Sequence, residues 1–292
     1  MTRRDHITPT ATNRRRVALP IVLAALALLL ASLVPVQTAG AQRAAAAGRS
    51  PEKPTIVLVH GAWADASNWT RVVIRLQRDG YRVYAIANPL RSLSGDAASV
   101  RAFLQTIKGP VVLVGHSYGG AVITNAATGL PNVEALVYVN AFAPDEGESA
   151  IALAGPESAL SVADPTTVFD FVPRTLPPTP DTDLYLKRST VLRSFATGLN
   201  AVDKAVAAAS QRPATLGALS EPSGPPAWRT IRSWYLIGAN DKIVPPGVEE
   251  TMAERAGSKV VHYDAGHLGL ISEPLTVSRV IERAAKAVAS AR

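Results

Sequence analysis

Short apolar runs recur along this chain between segments with helical periodicity, and this alternation most constrains its fold. The runs IVLV at 56–59 and VVLV at 111–114 contain only apolar residues. Such a strand is buried on both faces, as in a parallel sheet covered by helices. The candidate strands are 55–60, 81–87, 111–114, 133–140, 233–237 and 259–263. The sequence therefore predicts an α/β fold with a doubly wound, mainly parallel sheet of about six strands.

Helical segments fill the intervals between these runs. The stretch 66–79 ends before a glycine, as does the stretch 118–128. Asp96 precedes apolar residues at helical spacing and is a candidate helix cap. A last helix carries apolar residues on one face, from Val277 to Val288.

Residues 144–228 break the alternation. The segment is rich in Pro, Ala, Ser and Thr and contains PRTLPPTPDTD. It is too long for a simple loop, and apolar residues such as Leu184, Leu192 and Phe195 favour a folded unit over a disordered linker. We predict an inserted, mostly helical cap over the carboxyl edge of the sheet, within a domain that spans 55–292.

The first 41 residues have the pattern of an export signal, and residues 42–54 that of a linker. Arg14, Arg15 and Arg16 form a basic region, residues 17–36 carry no charge, and AGA at 39–41 fits a cleavage site. The adjacent arginines also permit a twin-arginine export route. We expect a secreted protein cleaved near Ala41. The alternative is a membrane anchor through residues 17–36, since about 20 apolar residues span a bilayer.

Composition excludes several function classes. The formal net charge is +7, but residues 1–41 hold five arginines and one aspartate, which leaves 25 basic and 22 acidic residues downstream. Those basic residues form no runs, so nucleic-acid binding is not expected. The chain has no cysteine, which removes cysteine nucleophiles and thiolate metal sites. It also lacks the H-E-x-x-H pattern of a zinc hydrolase and the lysine of a phosphate-binding loop.

The sequence GHSYG at 115–119 matches the pattern G-x-S-x-G, with Ser117 at its centre. It follows an apolar strand and opens a helix, which is the placement of a nucleophile elbow. The flanking glycines allow a sharp turn, and the helix start offers N–H groups to an oxyanion. A tight turn without catalytic function is the alternative, but such a turn does not need a serine at this position.

A serine nucleophile requires a base, and the chain has five histidines. His6 lies in the export signal, and His262 lies within a candidate strand. His116 is the variable residue of the motif and is expected to point away from the nucleophile. We assign His60, beside the first strand, a structural role in the following loop. His267 follows the last strand on a Gly-flanked loop at the same sheet edge as the serine, and it is the predicted base.

The base needs a carboxylate that orients it. Asp241, in GANDKIVPP, directly follows the fifth strand and is the predicted partner of His267. Asp264 is near His267 in sequence, but three residues of loop give poor control of its direction. Asp145 and Glu146 follow the fourth strand and are the alternatives. The order of serine, acid and histidine along the chain is that of an α/β-hydrolase.

Two backbone N–H groups are candidates for the oxyanion hole. Tyr118 follows the nucleophile and supplies one. The loop HGAWADASNW after the first strand supplies the other, and Gly61 lets its backbone approach a substrate, so Ala62 is the predicted donor. Trp63 is a candidate substrate-binding residue in the wall of the pocket.

Together these motifs resemble the α/β-hydrolase superfamily. LVHGAW, VGHSYGGAV, YVNAFAPDEGES, GANDKIVPP and AGHLGLISEP are most similar to its small esterase branch, which includes bacterial esterase-like hydrolases, plant methylesterases and hydroxynitrile lyases. The resemblance spans 55–290 and is weakest in 144–228. It implies a triad of Ser117, Asp241 and His267, backbone donors at Ala62 and Tyr118, six parallel strands, and no cofactor or metal.

One departure from the sequence of this branch bears on which reaction the protein catalyses. The lyases carry a lysine directly after the catalytic histidine, whereas Leu268 follows His267 here. We therefore expect a secreted serine carboxylesterase whose partner is a small to medium, largely apolar ester. Two alternatives stay open: another α/β-hydrolase reaction, such as C–C bond hydrolysis or a lyase reaction, and a non-catalytic ligand-binding protein.

Overall fold

The computed structural model describes residues 53–291. The predicted export signal (1–41), and with it the alternative membrane anchor at 17–36, lies outside the described residues, as does most of the predicted linker. Between residues 53 and 291, no helix combines the length and the apolar character needed to cross a membrane. The boundaries predicted for the export signal and the linker stay predictions.

Nine strands and ten helices follow one another along the described chain. The strands are β1 (Thr55–Val59), β2 (Val83–Ile86), β3 (Val111–Ser117), β4 (Val133–Ala141), β5 (Phe169–Val172), β6 (Asp183–Leu186), β7 (Ala214–Thr215), β8 (Ser233–Gly238) and β9 (Lys259–Tyr263). The helices are α1 (Thr70–Arg78), α2 (Leu93–Gln105), α3 (Tyr118–Ala126), α4 (Ala150–Leu153), α5 (Arg188–Thr190), α6 (Ala201–Ala209), α7 (Leu216–Ser220), α8 (Pro246–Arg255), α9 (Gly269–Ser272) and α10 (Pro274–Ser290). Single turns at Ala66–Trp69, Pro165–Thr167 and Ala227–Arg229 and a π-helical turn at Val191–Phe195 complete the set.

Six strands form one parallel sheet in the order β2-β1-β3-β4-β8-β9. Every residue of β1, β3 and β8 is buried, as the apolar runs predict, whereas the edge strands β2 and β9 are partly exposed. Helices α1 and α10 pack together beside the sheet, and α2 and α3 form a second packed pair. The predicted doubly wound α/β fold is confirmed.

Helix α2 begins earlier than its sequence suggests. Ser92, not Asp96, is the N-cap, and its hydroxyl accepts from the N–H of Gly95. Asp96 lies in the first turn of α2 and is fully buried, where it accepts from the N–H of Arg91 and from the hydroxyl of Tyr118. The prediction that Asp96 caps this helix is wrong because its carboxylate is used in tertiary contacts.

The predicted cap is folded, and it contains a small sheet as well as helices. Strands β5, β6 and β7 pair antiparallel, an arrangement that the sequence analysis does not predict. Several contacts tie this sheet to the main domain, among them two hydrogen bonds from Thr215 of β7 to the carbonyls of Leu90 and Arg91. The indole N–H of Trp63 donates to the carbonyl of Leu184, and the guanidinium of Arg91 binds the carboxylate of Asp183 at 2.6 Å. The cap is thereby held beside the carboxyl ends of the central strands.

Candidate active site

Ser117 occupies a strained turn between β3 and α3. Its backbone has φ 54° and ψ −128°, in a region that non-glycine residues rarely adopt. The flanking glycines are required by packing. A Cβ on Gly115 would lie 2.6 Å from the carbonyl oxygen of Gly119, and a Cβ on Gly119 would lie 2.6 Å from that of Val59. Helix α3 therefore starts directly against the strands, and the serine is presented at the sheet edge, as expected of a nucleophile elbow.

The structure brings together the three predicted triad residues. The Oγ of Ser117 lies 2.9 Å from Nε2 of His267, and Nδ1 of His267 lies 2.7 Å from Oδ2 of Asp241. All three residues are buried. Because a carboxylate only accepts, Nδ1 carries the proton, and Nε2 is left to accept from the serine hydroxyl. This tautomer is the one in which histidine can take a proton from Ser117.

The carboxylate of Asp241 is held by hydrogen bonds on both oxygens. Oδ1 accepts from the N–H groups of Ile243 and Val244 at 2.7 and 3.0 Å. Oδ2 accepts from the side-chain amide of Asn140 at 3.1 Å in addition to His267. These four donors offset the cost of burying the charge and fix the direction of the carboxylate toward the histidine.

The alternative acids do not reach the histidine. Asp264 is exposed and accepts from the side-chain amide of Asn240. Asp145 binds the guanidinium of Arg229 at 2.5 Å, and Glu146 lies 3.9 Å from the same side chain. Of the four acidic residues considered from the sequence, only Asp241 contacts the predicted base.

Two other histidines, His60 and His262, make no hydrogen bond to the three predicted triad residues. His60 is buried; its Nε2 accepts from the N–H of Asn88, so its Nδ1–H donates to the carbonyl of Gly61. Burial lowers the pKa of His60, which keeps the ring neutral. This is the structural role in the oxyanion loop that the sequence suggests. His262 is exposed and pairs with Glu250.

His116 packs against the predicted base, a contact that the sequence analysis does not predict. Its Nε2–H donates to the backbone carbonyl of His267 at 2.9 Å, and the two rings lie 4.8 Å apart. Burial, and secondarily the nearby His267, hold the pKa of His116 well below its usual range. The ring of Phe195, from the cap, lies 5.3 Å from His267 on another side. His116 and Phe195 therefore confine the position of the predicted base.

Asn140 is the supporting residue that the sequence analysis missed. It lies near the end of β4 with φ 46°, a left-handed conformation that asparagine tolerates better than most residues. Its amide donates to Asp241, and its carbonyl oxygen accepts from the hydroxyl of Tyr263. The sequence signal was a polar residue at the carboxyl end of a buried strand, in YVNAF. Asn140 therefore connects β4 and β9 to the acid of the triad.

The two predicted oxyanion donors lie at the same cavity as Ser117. Tyr118 is the first residue of α3, so its N–H has no acceptor within the helix. Ala62 follows Gly61, and a Cβ on Gly61 would lie 2.6 Å from the Cβ of Ser117. Only a glycine lets the loop after β1 approach the serine this closely. Both predicted donors therefore lie close to Ser117, and their assignment to the oxyanion hole stays a prediction.

The side chain of Tyr118 anchors this helix start away from the cavity. Its hydroxyl donates to Oδ2 of Asp96 at 2.8 Å. Burial raises the pKa of the Asp96 carboxyl, and burial together with the carboxylate raises that of the tyrosine hydroxyl. Because the hydroxyl is hydrogen-bonded to Asp96 on α2, it is not available to a substrate.

A cavity of about 50 Å³ lies beside Ser117, and we call it the inner pocket. Trp63, the predicted substrate-binding residue, lines it with φ 56° and packs against Phe169 and Phe195 at ring-centroid distances of 5.8 and 6.0 Å. Its lining also includes Ala62, Tyr118, Phe142, Phe169 and Leu219. The walls are mostly apolar, so the inner pocket suits an uncharged group bound to the reacting carbonyl.

Glu249, on α8, is a second buried acid near the triad. It is fully buried, and within residues 53–291 neither carboxylate oxygen makes a hydrogen bond of good geometry, although the backbone N–H groups of Ala141 and Gly238 lie near enough to favour the charged form slightly. Burial, and secondarily the charge of Asp241, raise the pKa of Glu249 well above its usual range. The protonated, uncharged form is thus favoured, so Glu249 does not compete with Asp241 for the histidine.

In the described part of the chain, no group of three or more His, Cys, Asp or Glu residues is arranged to hold a metal ion. Among these residues, the side chains gathered at Ser117 are those of a proton relay and an apolar pocket. The expectation that the protein uses no metal and no cofactor stays a prediction.

Comparison with known proteins agrees with the resemblance. The chain is 27% identical over 265 residues to the α/β-hydrolase nvfD of Aspergillus novofumigatus, covering 80% of this chain and 97% of that protein. It is 36% identical over 110 residues to a carbendazim hydrolyzing esterase of Nocardioides sp., covering 33% of this chain and 46% of that protein. Further matches include putative methylesterases and an alpha-hydroxynitrile lyase of Arabidopsis thaliana, which confirms the predicted branch.

Solved structures and a family model lead to the same conclusion. Polyneuridine aldehyde esterase superimposes with a TM-score of 0.67 at 20% sequence identity, covering 80% of this chain and 99% of that one, which shows a shared fold. The model of the alpha/beta hydrolase family matches residues 56–280, from β1 into α10. This chain is a member of the alpha/beta hydrolase family.

Proposed function

We propose that this protein is a serine carboxylesterase that cleaves a small to medium, largely apolar ester through an acyl-enzyme on Ser117. The observation that carries the proposal is the hydrogen-bonded relay from Ser117 through His267 to Asp241, in the tautomer that acyl transfer requires. The names of the relatives, several of them esterases, support ester hydrolysis.

In the first half of the reaction, Ser117 Oγ attacks the ester carbonyl carbon while its proton moves to Nε2 of His267. The carbonyl π electrons move to the oxygen, which becomes the oxyanion of a tetrahedral intermediate. Asp241 stays ionised and stabilises the imidazolium through Nδ1–H. The Nε2 proton then passes to the alkoxide oxygen as the C–O bond breaks, so the alcohol leaves and the acyl-enzyme remains.

The second half repeats these steps with water. His267 Nε2 removes a proton from a water molecule that attacks the acyl carbon, and a second tetrahedral intermediate forms. When that intermediate collapses, the bond to Ser117 breaks, the serine regains a proton from His267, and the carboxylic acid is released. We assign both oxyanions to the N–H groups of Ala62 and Tyr118. Each such donor contributes about 10²–10³-fold to the rate.

The walls of the site favour ester hydrolysis over the lyase alternative. Leu268 follows His267 and is fully buried, so the position that holds a lysine in the lyases holds an apolar side chain here. The inner pocket is lined chiefly by apolar side chains. An uncharged ester is the substrate that such walls accommodate best.

Hydrolysis of p-nitrophenyl butyrate by the full chain and by its Ser117→Ala variant tests the proposal. We expect the substitution to lower kcat by at least about 10³-fold with an unchanged thermal unfolding midpoint, because the nucleophile is removed without repacking. Ser161→Ala is the matched control: Ser161 lines the same pocket but makes no contact with His267, so its loss should leave kcat within a factor of two or three.

The outcomes separate the alternatives. Undiminished hydrolysis by Ser117→Ala contradicts the serine mechanism. Labelling of Ser117 by a fluorophosphonate without hydrolysis of any ester indicates an activated serine used for another reaction. Absence of both labelling and hydrolysis indicates a ligand-binding protein that retains the fold.

We also propose that the protein is exported and cleaved after Ala41. The support is the order of basic, apolar and small residues in 1–41. N-terminal sequencing of the protein recovered from culture medium should give a chain that begins at Gln42. Recovery of the uncleaved chain in the membrane fraction would instead support the anchor through residues 17–36.

A further inference from the structure

A second, larger cavity lies in the cap next to the inner pocket. Its volume is about 590 Å³, against about 50 Å³ for the inner pocket, and we call it the outer groove. The outer groove is formed by the segment between Ile151 and Pro178 together with Leu184 and Leu216. It lies entirely within the cap, and the proposed catalytic steps do not use it.

The outer groove and the inner pocket share part of their walls. Ile151, Leu160, Ser161 and Phe169 line both cavities. Three of these four side chains are apolar, so a hydrocarbon chain that leaves the inner pocket would pass mainly over carbon surface. This shared wall makes the groove a candidate extension of the site around Ser117.

The groove is apolar and exposed at the same time. Eleven of its fourteen lining residues are apolar, counting prolines. Asp164, the one ionisable residue of the lining, already accepts from the N–H and hydroxyl of Thr166. Of nine large apolar side chains exposed between residues 53 and 291, Ile151, Val162 and Leu176 line the groove at 49%, 38% and 63% exposure. Exposed apolar surface gathered at a cavity is typical of a ligand-binding groove.

We propose that the outer groove binds the bulky apolar half of the ester, a hydrocarbon chain or ring system, while the inner pocket holds the small half. The proposal rests on the proposed esterase function and specifies its substrate class: esters with one small and one bulky apolar side. The difference in volume supports this division, because the outer groove, at about 590 Å³, is far roomier than the inner pocket, at about 50 Å³.

Four esters, assayed below their solubility limits, test this division. Ethyl acetate is small on both sides, methyl octanoate is bulky on the acyl side, octyl acetate is bulky on the alcohol side, and octyl octanoate is bulky on both. We expect kcat/KM for methyl octanoate or octyl acetate to exceed that for ethyl acetate at least about tenfold. Preference for methyl octanoate would show that the acyl half enters the outer groove, and preference for octyl acetate would show that the alcohol half does. Octyl octanoate should be a poor substrate.

The double variant Val162→Ser/Leu176→Ser removes apolar surface from the groove without touching the triad. For the preferred ester, KM should rise about tenfold with little change in kcat, and kinetics on ethyl acetate should stay as in the parent. The matched control is Val202→Ser/Val206→Ser. These valines are 71% and 57% exposed on α6, also in the cap, but outside the groove. The control should leave all four esters unchanged.

Unchanged kinetics of Val162→Ser/Leu176→Ser on the preferred ester, or equal kcat/KM on all four esters, would overturn the proposal. Failure of the esterase function is a different result, because ethyl acetate and every other ester would then resist hydrolysis. In that case, calorimetry of dodecan-1-ol with the Ser117→Ala chain tests whether the outer groove binds an apolar chain. Binding that Val162→Ser/Leu176→Ser weakens about tenfold supports the groove, and absence of binding overturns it.

Discussion

The side-chain amide of Asn140 donates to Oδ2 of Asp241, the same oxygen that accepts from His267. Asn140 is itself fixed by the hydroxyl of Tyr263, which donates to its carbonyl oxygen. The acid of the triad is therefore aimed from β4 and β9 as well as from its own loop after β8. Asn140 is in this sense a positioning residue: it acts on the reaction through Asp241.

We expect Asn140→Ala to lower kcat/KM about 10–100-fold, because a hydrogen bond to a charged group contributes about 1.5–3 kcal/mol. The loss should appear in kcat rather than in KM, because Asn140 orients Asp241 and does not line the inner pocket. Steady-state kinetics that separate kcat from KM check this.

Asn132→Ala is the control for Asn140. Asn132 also uses its amide to hold backbone carbonyls, those of Leu104 and Ile107, but these belong to the segment around the end of α2. Its replacement should lower the unfolding midpoint while leaving kcat and KM unchanged. An Asn140→Ala variant that keeps the kcat of the parent, or that changes KM alone, would contradict the positioning role.

Asp241→Asn should lower kcat about 10³–10⁴-fold with little loss of structure. The amide that replaces Oδ2 can donate toward Nδ1, so the ring proton would be favoured on Nε2, where it blocks acceptance from Ser117. Asp264→Asn, which changes the exposed acid nearest to His267 in sequence, should retain activity. Stopped-time assays with p-nitrophenyl butyrate compare the two; equal losses would show that Asp241 is not the orienting acid.

Much of this site follows from the sequence because parallel strands end at one edge of a sheet. The runs that became β1, β3, β8 and β9 are apolar enough to be recognised without tertiary information. Once those strands are parallel, Ser117, Asp241 and His267 must lie at one edge, and the structure places them within hydrogen-bonding distance.

Other features depend on contacts that no local pattern carries. Asn140 is one polar residue at a strand end, and its role requires Tyr263, which is distant in sequence. Asp96 lies where the sequence suggests a helix cap, but its carboxylate accepts a hydrogen bond from the hydroxyl of Tyr118 instead of capping the helix. The sheet of the cap is built from short strands, two of them joined by a proline-rich loop and the third reached only after the helix α6, so neither length nor alternation reveals it.

Gly61→Ala should lower kcat/KM about 10²-fold or more. The added Cβ would lie 2.6 Å from Cβ of Ser117 and 2.9 Å from the carbonyl of His116, so the loop that carries Ala62 must move away from the nucleophile. Displacing one oxyanion donor costs about 10²–10³-fold in kcat.

Gly247→Ala is the matched glycine control. Gly247 lies in α8, where a Cβ would meet nothing within 4 Å, so the substitution should keep full activity and stabilise the helix by about 1 kcal/mol. Both variants are compared by ester kinetics and thermal unfolding. Full activity of Gly61→Ala would show that the loop after β1 does not supply an oxyanion donor.

Glu249→Gln should make the protein progressively more stable than the parent as pH rises. Burial raises the pKa of Glu249 above its value in the unfolded chain, which is about 4.3. Between these two pKa values the folded state binds more protons than the unfolded state, so stability falls as pH rises, by about 1.4 kcal/mol per pH unit. Glutamine is neutral throughout and removes this loss.

Thermal unfolding from pH 5 to pH 8 measures the effect. The gain of Glu249→Gln over the parent should be larger at pH 8 than at pH 5. Glu254→Gln, which changes an exposed carboxylate on the same helix α8, should show no such trend, because water solvates that charge in both states. A gain that does not depend on pH would mean that Glu249 is ionised in the folded protein, and that the backbone N–H groups of Ala141 and Gly238 offset the cost of burying its charge.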